Sequence, residues 1–174
     1  MLNAFRCEVC GETYLGSSKP ENCPYCGAHQ KYLKKVEDYK RLKPEEVSGK
    51  SQKNVEKAIE LEIDNAKFYD CAARKTEKDS EAAIFKRLKK IEAEHAEALA
   101  EVIDVEEKEI PTYEACSENP SENYKEAHGR ENRAIKSYSK FASEAKEPKL
   151  KKLFQALAEI EKDHLDLSNR RGTA

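Results

Sequence analysis

Thirty residues after Glu62 comes Glu92-x-x-His95, and thirty residues after Glu131 comes Glu161-x-x-His164, so the second set repeats the first 69 positions later. Tyr69, Phe85, Leu88 and Ile91 recur at the same offset as Tyr138, Phe154, Leu157 and Ile160. Each copy offers two carboxylates and one imidazole, a hard oxygen and nitrogen donor set of the kind that divalent metal ions take. Solvated surface charges have no reason to keep such a register, so the two copies are read as two halves of one site.

An α-helix advances by about 100° per residue. On that wheel Val55, Ala58, Ala66, Tyr69 and Ala73 lie within about 40° of Glu62, and Phe85, Leu88, Ala96, Leu99 and Ile103 within about 40° of Glu92, with His95 within about 60°. The acids and imidazoles therefore sit inside the apolar stripes that face the core. Burying an unpaired carboxylate costs several kcal/mol, so each must be protonated, paired or bound to a cation. The repeated set holds no Lys or Arg to pair them, which leaves metal as the simplest answer.

A second metal pattern lies at the start of the chain. Cys7-x-x-Cys10 and Cys23-x-x-Cys26 are each followed by glycine, Gly11 and Gly27, which lets the backbone turn and its amides approach the sulfurs. Two such knuckles close a tetrahedral four-thiolate site for iron or zinc. About 35 residues are too few for a stable apolar core, so the metal also supplies folding energy. Disulfide pairing of these four is the alternative, and the lack of an apolar leader in the first residues argues against it. Cys71 lies about 180° from Glu62 on its helix, and its counterpart is Lys140, so it is expected on the outer face. Cys116 is expected in a loop, and neither receives a role.

The elements that must position these residues follow from spacing. Residues 1–35 form the four-cysteine module, with short strands around Phe5–Arg6 and Gln30–Leu33. Residues 36–53 form a charged linker containing Pro44 and Gly49, and residues 54–174 form four helices. The first helix runs from about Ser51 to Thr76, the second from about Asp79 to Asp104 with Asp79 as N-cap. The third opens at Asn119-Pro120-Ser121-Glu122, an N-cap followed by a proline at the first helical position. The fourth starts near Pro148 and fades before Gly172. Short turns within each pair and a longer connection from about Val105 to Glu118 give a mainly α four-helix bundle with one crossover. A pseudo-twofold axis then brings Glu62 and Glu131 together with both Glu-x-x-His turns.

The chain has 174 residues, 38% of them charged, and a formal net charge of −2. That suits one ordinary domain with a small appendage and long solvated helix faces. No basic block points to nucleic acid, and no apolar run approaches the roughly 18 residues of a membrane span, so a cytoplasmic protein is expected.

With its four-cysteine module first and its two-metal bundle second, the chain resembles the rubrerythrins over nearly its whole length, in the order of the reverse rubrerythrins. The matching residues are Cys7, Cys10, Gly11, Cys23, Pro24, Cys26 and Gly27 in a rubredoxin-like module, and Glu62, Glu92, His95, Glu131, Glu161 and His164 in a ferritin-like di-iron bundle. Tyr69 and Tyr138 are placed like the tyrosines that flank the family's di-iron site, and both are included with the six ligands as candidate catalytic residues. The resemblance implies a peroxide reductase: hydrogen peroxide is split to water at the di-iron pair, and the iron-tetrathiolate site returns electrons from an external donor such as a rubredoxin or its reductase. Glu92 and Glu161 are then the bridges, Glu62 and Glu131 are terminal, and each iron takes one His. It also implies a homodimer, head-to-tail or domain-swapped, in which the relay crosses to the partner's bundle.

One position departs from the family pattern. The rubrerythrins carry a further glutamate one turn after the third-helix Glu, and here that position is Ala134; His128, one turn earlier, is the nearby candidate as ligand or proton donor, against a packing histidine. The departure makes the site more symmetric and leaves room for ferroxidase or oxygen-reducing behaviour. Two other functions stand beside the peroxidase: an iron-handling protein with a structural zinc module, and a docking protein with a metal-free bundle. Iron, manganese or zinc suits the Glu and His set. Tyr69 and Tyr138 are read either as partners of ligand carboxylates or as core aromatics. Gly129 is read as permitting close helix approach, His29 as a surface residue rather than a ligand, and Glu94 and Asp163 as solvated, with a contact to a neighbouring histidine as the alternative.

Overall fold

The computed structural model describes residues 1–106 and 109–172. Part of the expected connection from Val105 to Glu118, and the last two positions of the expected bundle, lie outside the described residues. The N-terminal module is a three-stranded antiparallel sheet in the order β2-β1-β3, with β1 at Asn3–Cys7, β2 at Thr13–Gly16 and β3 at Leu33–Lys35. Strand β2 was not anticipated, and Gln30–Tyr32 is a single 3₁₀ turn leading into β3 rather than a strand. Its exposed Thr13 and Leu15 alternate with half-buried Tyr14 and buried Gly16, a pattern too short to stand out against a knuckle loop.

Four helices follow: α1 at Gly49–Lys75, α2 at Asp79–Val102, α3 at Pro120–Glu144 and α4 at Pro148–Gly172. Ser48 caps α1 by accepting from the Ser51 amide, and Glu147 at the α3–α4 turn accepts from the Ser48 amide and the Ser51 hydroxyl at 2.7 and 2.6 Å. Asn119 caps α3 with Pro120 at the first helical position, as expected. Helix α2 differs: Lys78 is the cap residue without a side-chain bond, and Asp79 is already helical, where its charge favours the helix N-terminus. That helix also stops two residues short, because Asp104 adopts a left-handed φ of 52° and the Val105 amide turns back to the Ala100 carbonyl.

Helices α1 and α2 form one antiparallel hairpin, α3 and α4 the other, and α1 also packs against α3. The interhelix reading of Gly129 does not hold: a Cβ there would meet only the Arg133 guanidinium, at an ordinary 3.6 Å. Nor is the segment after the module a loose tether. Leu42 is buried and its amide bonds to the Glu8 carbonyl, while Arg41 and Lys43 pair with Glu101 and Asp104 at the end of α2. One apolar core runs unbroken from Phe5, Val9 and Leu33 in the module to Ile59, Leu99 and Leu157 in the bundle. A second core around Phe68, Tyr69, Phe85 and Tyr124 fills the other end. Among the described residues no helix is long and apolar enough to cross a membrane.

Candidate metal centres

The two Cys-x-x-Cys knuckles turn as their glycines predict. The Gly11 and Gly27 amides bond back to the Cys7 and Cys23 carbonyls at 2.9 Å, with φ of +86° and +80° that side-chain-bearing residues rarely adopt. All four sulfurs are buried and unpaired by disulfides, with Cys7 to Cys26 at 3.7 Å and Cys10 to Cys23 at 3.8 Å. A tetrahedron with metal–sulfur bonds of about 2.3 Å has edges of about 3.8 Å, so the donor set is already spaced for an ion. Hydrogen bonding from Cys10 pushes the Cys7 and Cys23 thiols down, and pairing with Cys23 pushes Cys10 up. Without metal the cluster is thus a mixture of thiolates and thiols sharing protons.

In the bundle, Glu62 from α1, Glu92 and His95 from α2, Glu131 from α3, and Glu161 and His164 from α4 converge. Their ligand atoms fall into two four-residue groups, each within 4.8 Å: Glu62, Glu92, His95 and Glu161, and Glu92, Glu131, Glu161 and His164. Glu92 and Glu161 belong to both. Each turns one oxygen toward either imidazole: Glu92 lies 3.6 Å from His95 Nδ1 and 3.1 Å from His164 Nδ1, and Glu161 lies 3.5 and 3.1 Å away. Glu62 stands only on the His95 side, at 3.4 Å, and Glu131 joins only the His164 group.

The residues present fit a pair of metal ions on an observation independent of spacing. Glu62 Oε2, both oxygens of Glu92, His95 Nδ1, Glu131 Oε2 and Glu161 Oε1 are buried and make no hydrogen bond. Orphaned buried polar atoms are costly, and here they all point at one another, as atoms reserved for cations would. The remaining atoms are held from outside. Tyr69 donates its hydroxyl to Glu131 Oε1, and Tyr138 donates to Glu62 Oε1, so each phenol crosses the pseudo-twofold axis to the other copy's carboxylate. His95 Nε2 donates to the Cys26 carbonyl at 2.8 Å, which leaves Nδ1 as the nitrogen turned inward, free to bind an ion once it gives up its proton.

Metal-free, the cluster sorts its protons. Burial, reinforced by Glu161 and Glu92, pushes Glu62 and Glu131 far above the usual carboxylate range, although His95 partly opposes this at Glu62. Burial also opposes ionisation of Glu92 and Glu161, as does Glu92 at Glu161, but His164 together with hydrogen bonding from His95 holds both low. The two imidazoles are pushed well up against burial, His95 foremost by Glu62 and His164 by Glu161. Two anions then face two cations.

His128 belongs to neither ligand group and is half-buried on α3, and Ala134 is buried. His29 is not merely on the surface: its Nε2 lies 2.7 Å from Asp163 on α4, which is therefore a docking contact for the module rather than a free solvated acid. Lys31 and Tyr32 bond to Glu159, and Arg87 of α2 donates to the carbonyls of Pro24 and Tyr25. Glu94 is half-buried beside the module, its carboxyl pushed up by burial and by Glu12. The sequence reading missed the Cys26 carbonyl because a backbone acceptor leaves no residue signature.

Cys71 overturns its expectation. It is fully buried and disulfide-bonded to Cys116, with Cα atoms 6.0 Å apart. The wheel places it outside the four-helix interior correctly, but the crossover lies over that face, with Tyr113 and Cys116 packed against the second core. The signal was Phe68, Tyr69, Cys71 and Ala72, an almost continuous apolar run that no single stripe explains.

A model of the family described as rubrerythrin matches residues 53–170, and the model of the rubrerythrin rubredoxin-like domain matches residues 5–34. The chain belongs to the rubrerythrin family. Reverse rubrerythrin-1 of Clostridium acetobutylicum is 32% identical to it over 114 residues, which cover 59% of this chain and 62% of that protein. The chain thus spans somewhat less than two thirds of the curated relative it matches. No solved structure matches it. For a rubrerythrin, the four-thiolate module and the carboxylate–imidazole cluster are the expected pair of sites, here joined within one chain by the bond from His95 to Cys26.

Proposed function

We propose that this rubrerythrin is an oxidoreductase that reduces hydrogen peroxide to water at the buried cluster, with electrons entering through the four-thiolate site. One observation carries the reading: the Cys26 carbonyl accepts from His95, so a thiolate ligand and a cluster ligand are one hydrogen bond apart. A merely structural zinc module has no need of that contact. Two irons held by Glu62, Glu92, His95, Glu131, Glu161 and His164 supply, when reduced, the two electrons that splitting the oxygen–oxygen bond takes.

The chain's own residues do the rest. Glu92 and Glu161, which belong to both ligand groups, would hold either ion, and Glu62 and Glu131 would each hold one, each oriented by a phenol from the opposite helix pair. Those hydroxyls keep a proton at Glu62 Oε1 and Glu131 Oε1, next to where two waters must be completed. A cleft of about 870 Å³ between the module, α2 and α4, walled by Pro24, Leu88, Ile91, Ile160 and Leu167, reaches His164 and gives the oxidant its way in. Electrons arrive from a protein donor with an acidic surface. A second cleft, between the module and the α3–α4 pair, is lined by Lys31, Lys34, Lys151, Lys152 and Lys162 against the single acid Glu159. A head-to-tail dimer was expected because a linker separates Cys26 from Glu62; the within-chain contact serves the relay without one, so dimerisation is not part of this proposal.

The test is an anaerobic titration of iron-loaded, reduced protein with hydrogen peroxide. The ferric-thiolate colour should bleach with reductant and return with peroxide at catalytic rates, one peroxide accepting two electrons. A colourless thiolate site, together with oxygen uptake when ferrous iron is added, would replace this reading with that of an iron-handling protein.

A further inference from the structure

We propose that Cys71 and Cys116 form a reversible dithiol–disulfide pair, a second and metal-independent site on this chain that hydroperoxides oxidise. The two positions are 45 residues apart, on α1 and on the crossover. Cys116 is half-buried and Cys71 fully buried, which assigns their parts. The Cys116 thiolate attacks the nearer peroxide oxygen, the oxygen–oxygen bond breaks, and the departing hydroxide takes a proton to become water, leaving a sulfenic acid on Cys116. The Cys71 thiol then attacks that sulfur, and the second water leaves. Two thiols and one hydrogen peroxide become one disulfide and two waters. One thiolate of a dithiol reductant attacks the accessible Cys116 sulfur, the Cys71 thiolate leaves and takes a proton, and the reductant's second thiol then displaces Cys116 from the mixed disulfide, restoring both thiols.

Two features argue for a bond that opens and closes. First, the crossover is held on both sides of Cys116 by contacts that do not involve sulfur. On one side Arg74 donates to the Tyr113 carbonyl and the Glu114 carboxylate at 2.8 Å, and Lys75 donates to the Glu114 carbonyl at 2.5 Å. On the other, the Ser117 amide and carbonyl both pair with the Asn123 side chain, at 3.0 and 2.8 Å. When the disulfide opens, the thiols stay in register to close again, which a pair joined only by its own bond would not do. Second, the same chain keeps Cys7, Cys10, Cys23 and Cys26 as unpaired thiols in a module that functions only with them reduced. Conditions that keep four thiols reduced also act on a half-exposed disulfide sulfur.

The oxidant class is borrowed from the proposed function, but the test is independent of it. The full chain with zinc in all its metal sites has no redox-active metal, so it is reduced with dithiothreitol, freed of reductant, and given one equivalent of hydrogen peroxide, with the Cys7, Cys10, Cys23 and Cys26 peptides followed alongside. One equivalent should be consumed per chain, with loss of two hydrogens located by mass spectrometry to the peptides carrying Cys71 and Cys116, and dithiothreitol should reverse it. Cys116→Ser should lose that uptake altogether. Cys71→Ser should halt at a sulfenic acid on Cys116, trapped by a cyclic 1,3-dione. Persistence of the disulfide in folded protein under dithiothreitol, free thiols at both positions after peroxide, or unchanged uptake in Cys116→Ser would each overturn the proposal. Failure of the iron-loaded protein to turn over peroxide, with this result intact, would sink the metal-centre reading alone.

Discussion

Filling the bundle site with two divalent ions should release four protons at neutral pH. In the metal-free cluster Glu62 and Glu131 are held protonated, foremost by burial, and His95 and His164 are held cationic against burial by their carboxylate neighbours. Glu92 and Glu161 are held low by His164 and His95 together, against their burial, and are already anionic. The empty cluster therefore sums to zero, two anions against two cations. The filled one also sums to zero, four carboxylates against two divalent ions. The difference is four protons, two from Glu62 and Glu131 and two from His95 and His164, because every ligand must be deprotonated to bind. Each coupled proton makes affinity change tenfold per pH unit, so the pair constant should fall about 10⁴-fold, or about 5.4 kcal/mol, for each unit of acidification. Protein whose four-cysteine site already holds zinc is titrated with manganese in weakly buffered solution containing a pH indicator. Calorimetry in two buffers of different ionisation enthalpy gives the same count. A release of two would mean that either the Glu62 and Glu131 carboxyls or the two imidazoles are already deprotonated when the site is empty, and this assignment of protons would be wrong.

Three further outcomes follow from individual contacts. Tyr138→Phe removes the donor to Glu62 and leaves a buried carboxyl oxygen without its partner, so the metal-free protein should lose about 1–3 kcal/mol, read as a lower Tm. Glu62→Gln in the Tyr138→Phe background should show coupling between the two. Glu147, held down to about 2 because hydrogen bonds from Ser51 and Ser48 outweigh its burial, is a depressed carboxylate, so its contribution is present above the unfolded value near 4.5 and lost as pH falls through about 2. Its partial exposure limits that contribution to about 1 kcal/mol, and the stability difference between wild type and Glu147→Gln should shrink over that window in acid denaturation. Lys151→Glu with Lys162→Glu should slow reduction of the thiolate iron by an acidic protein donor at least tenfold at low salt, with added salt narrowing the gap; equal rates at low ionic strength would remove the lysine cleft as the point of electron entry.

The cluster was legible because it is written twice. Glu62, Glu92 and His95 recur at a fixed offset, and a helical wheel is enough to turn them inward. What the wheel does not contain is the partner across the axis. Tyr69 sits two turns after Glu62, and along the sequence Glu62 is the obvious acceptor; in three dimensions Tyr69 reaches Glu131, because α1 and α3 pack side by side. The same omission misplaced Cys71, whose surroundings are set by a crossover that has no periodicity to read. The module was legible from four cysteines and two glycines, but its docking was not. His29, Lys31 and Arg87 look like ordinary surface charges until the module lies on α2 and α4.

That docking is also what makes two equivalent halves inequivalent. The repeat gives each half a Glu, a Glu-x-x-His and a tyrosine, and nothing in those residues favours one metal position over the other. The module breaks the tie. It seals the His95 side, where the Cys26 carbonyl accepts a hydrogen bond from the imidazole's outer N–H, and it leaves the His164 side at the wall of an open cleft that also includes Cys23 and Pro24. Under the proposed function, electron entry and oxidant entry would fall at opposite imidazoles of one nearly symmetric cluster. Glu92 and Glu161, the two carboxylates that face both imidazoles, are what the two sides share. With Ala134 on α3 where the family resemblance leads one to expect a further carboxylate, the asymmetry between the two sides comes from the small module packed on top, not from the six acids and imidazoles themselves.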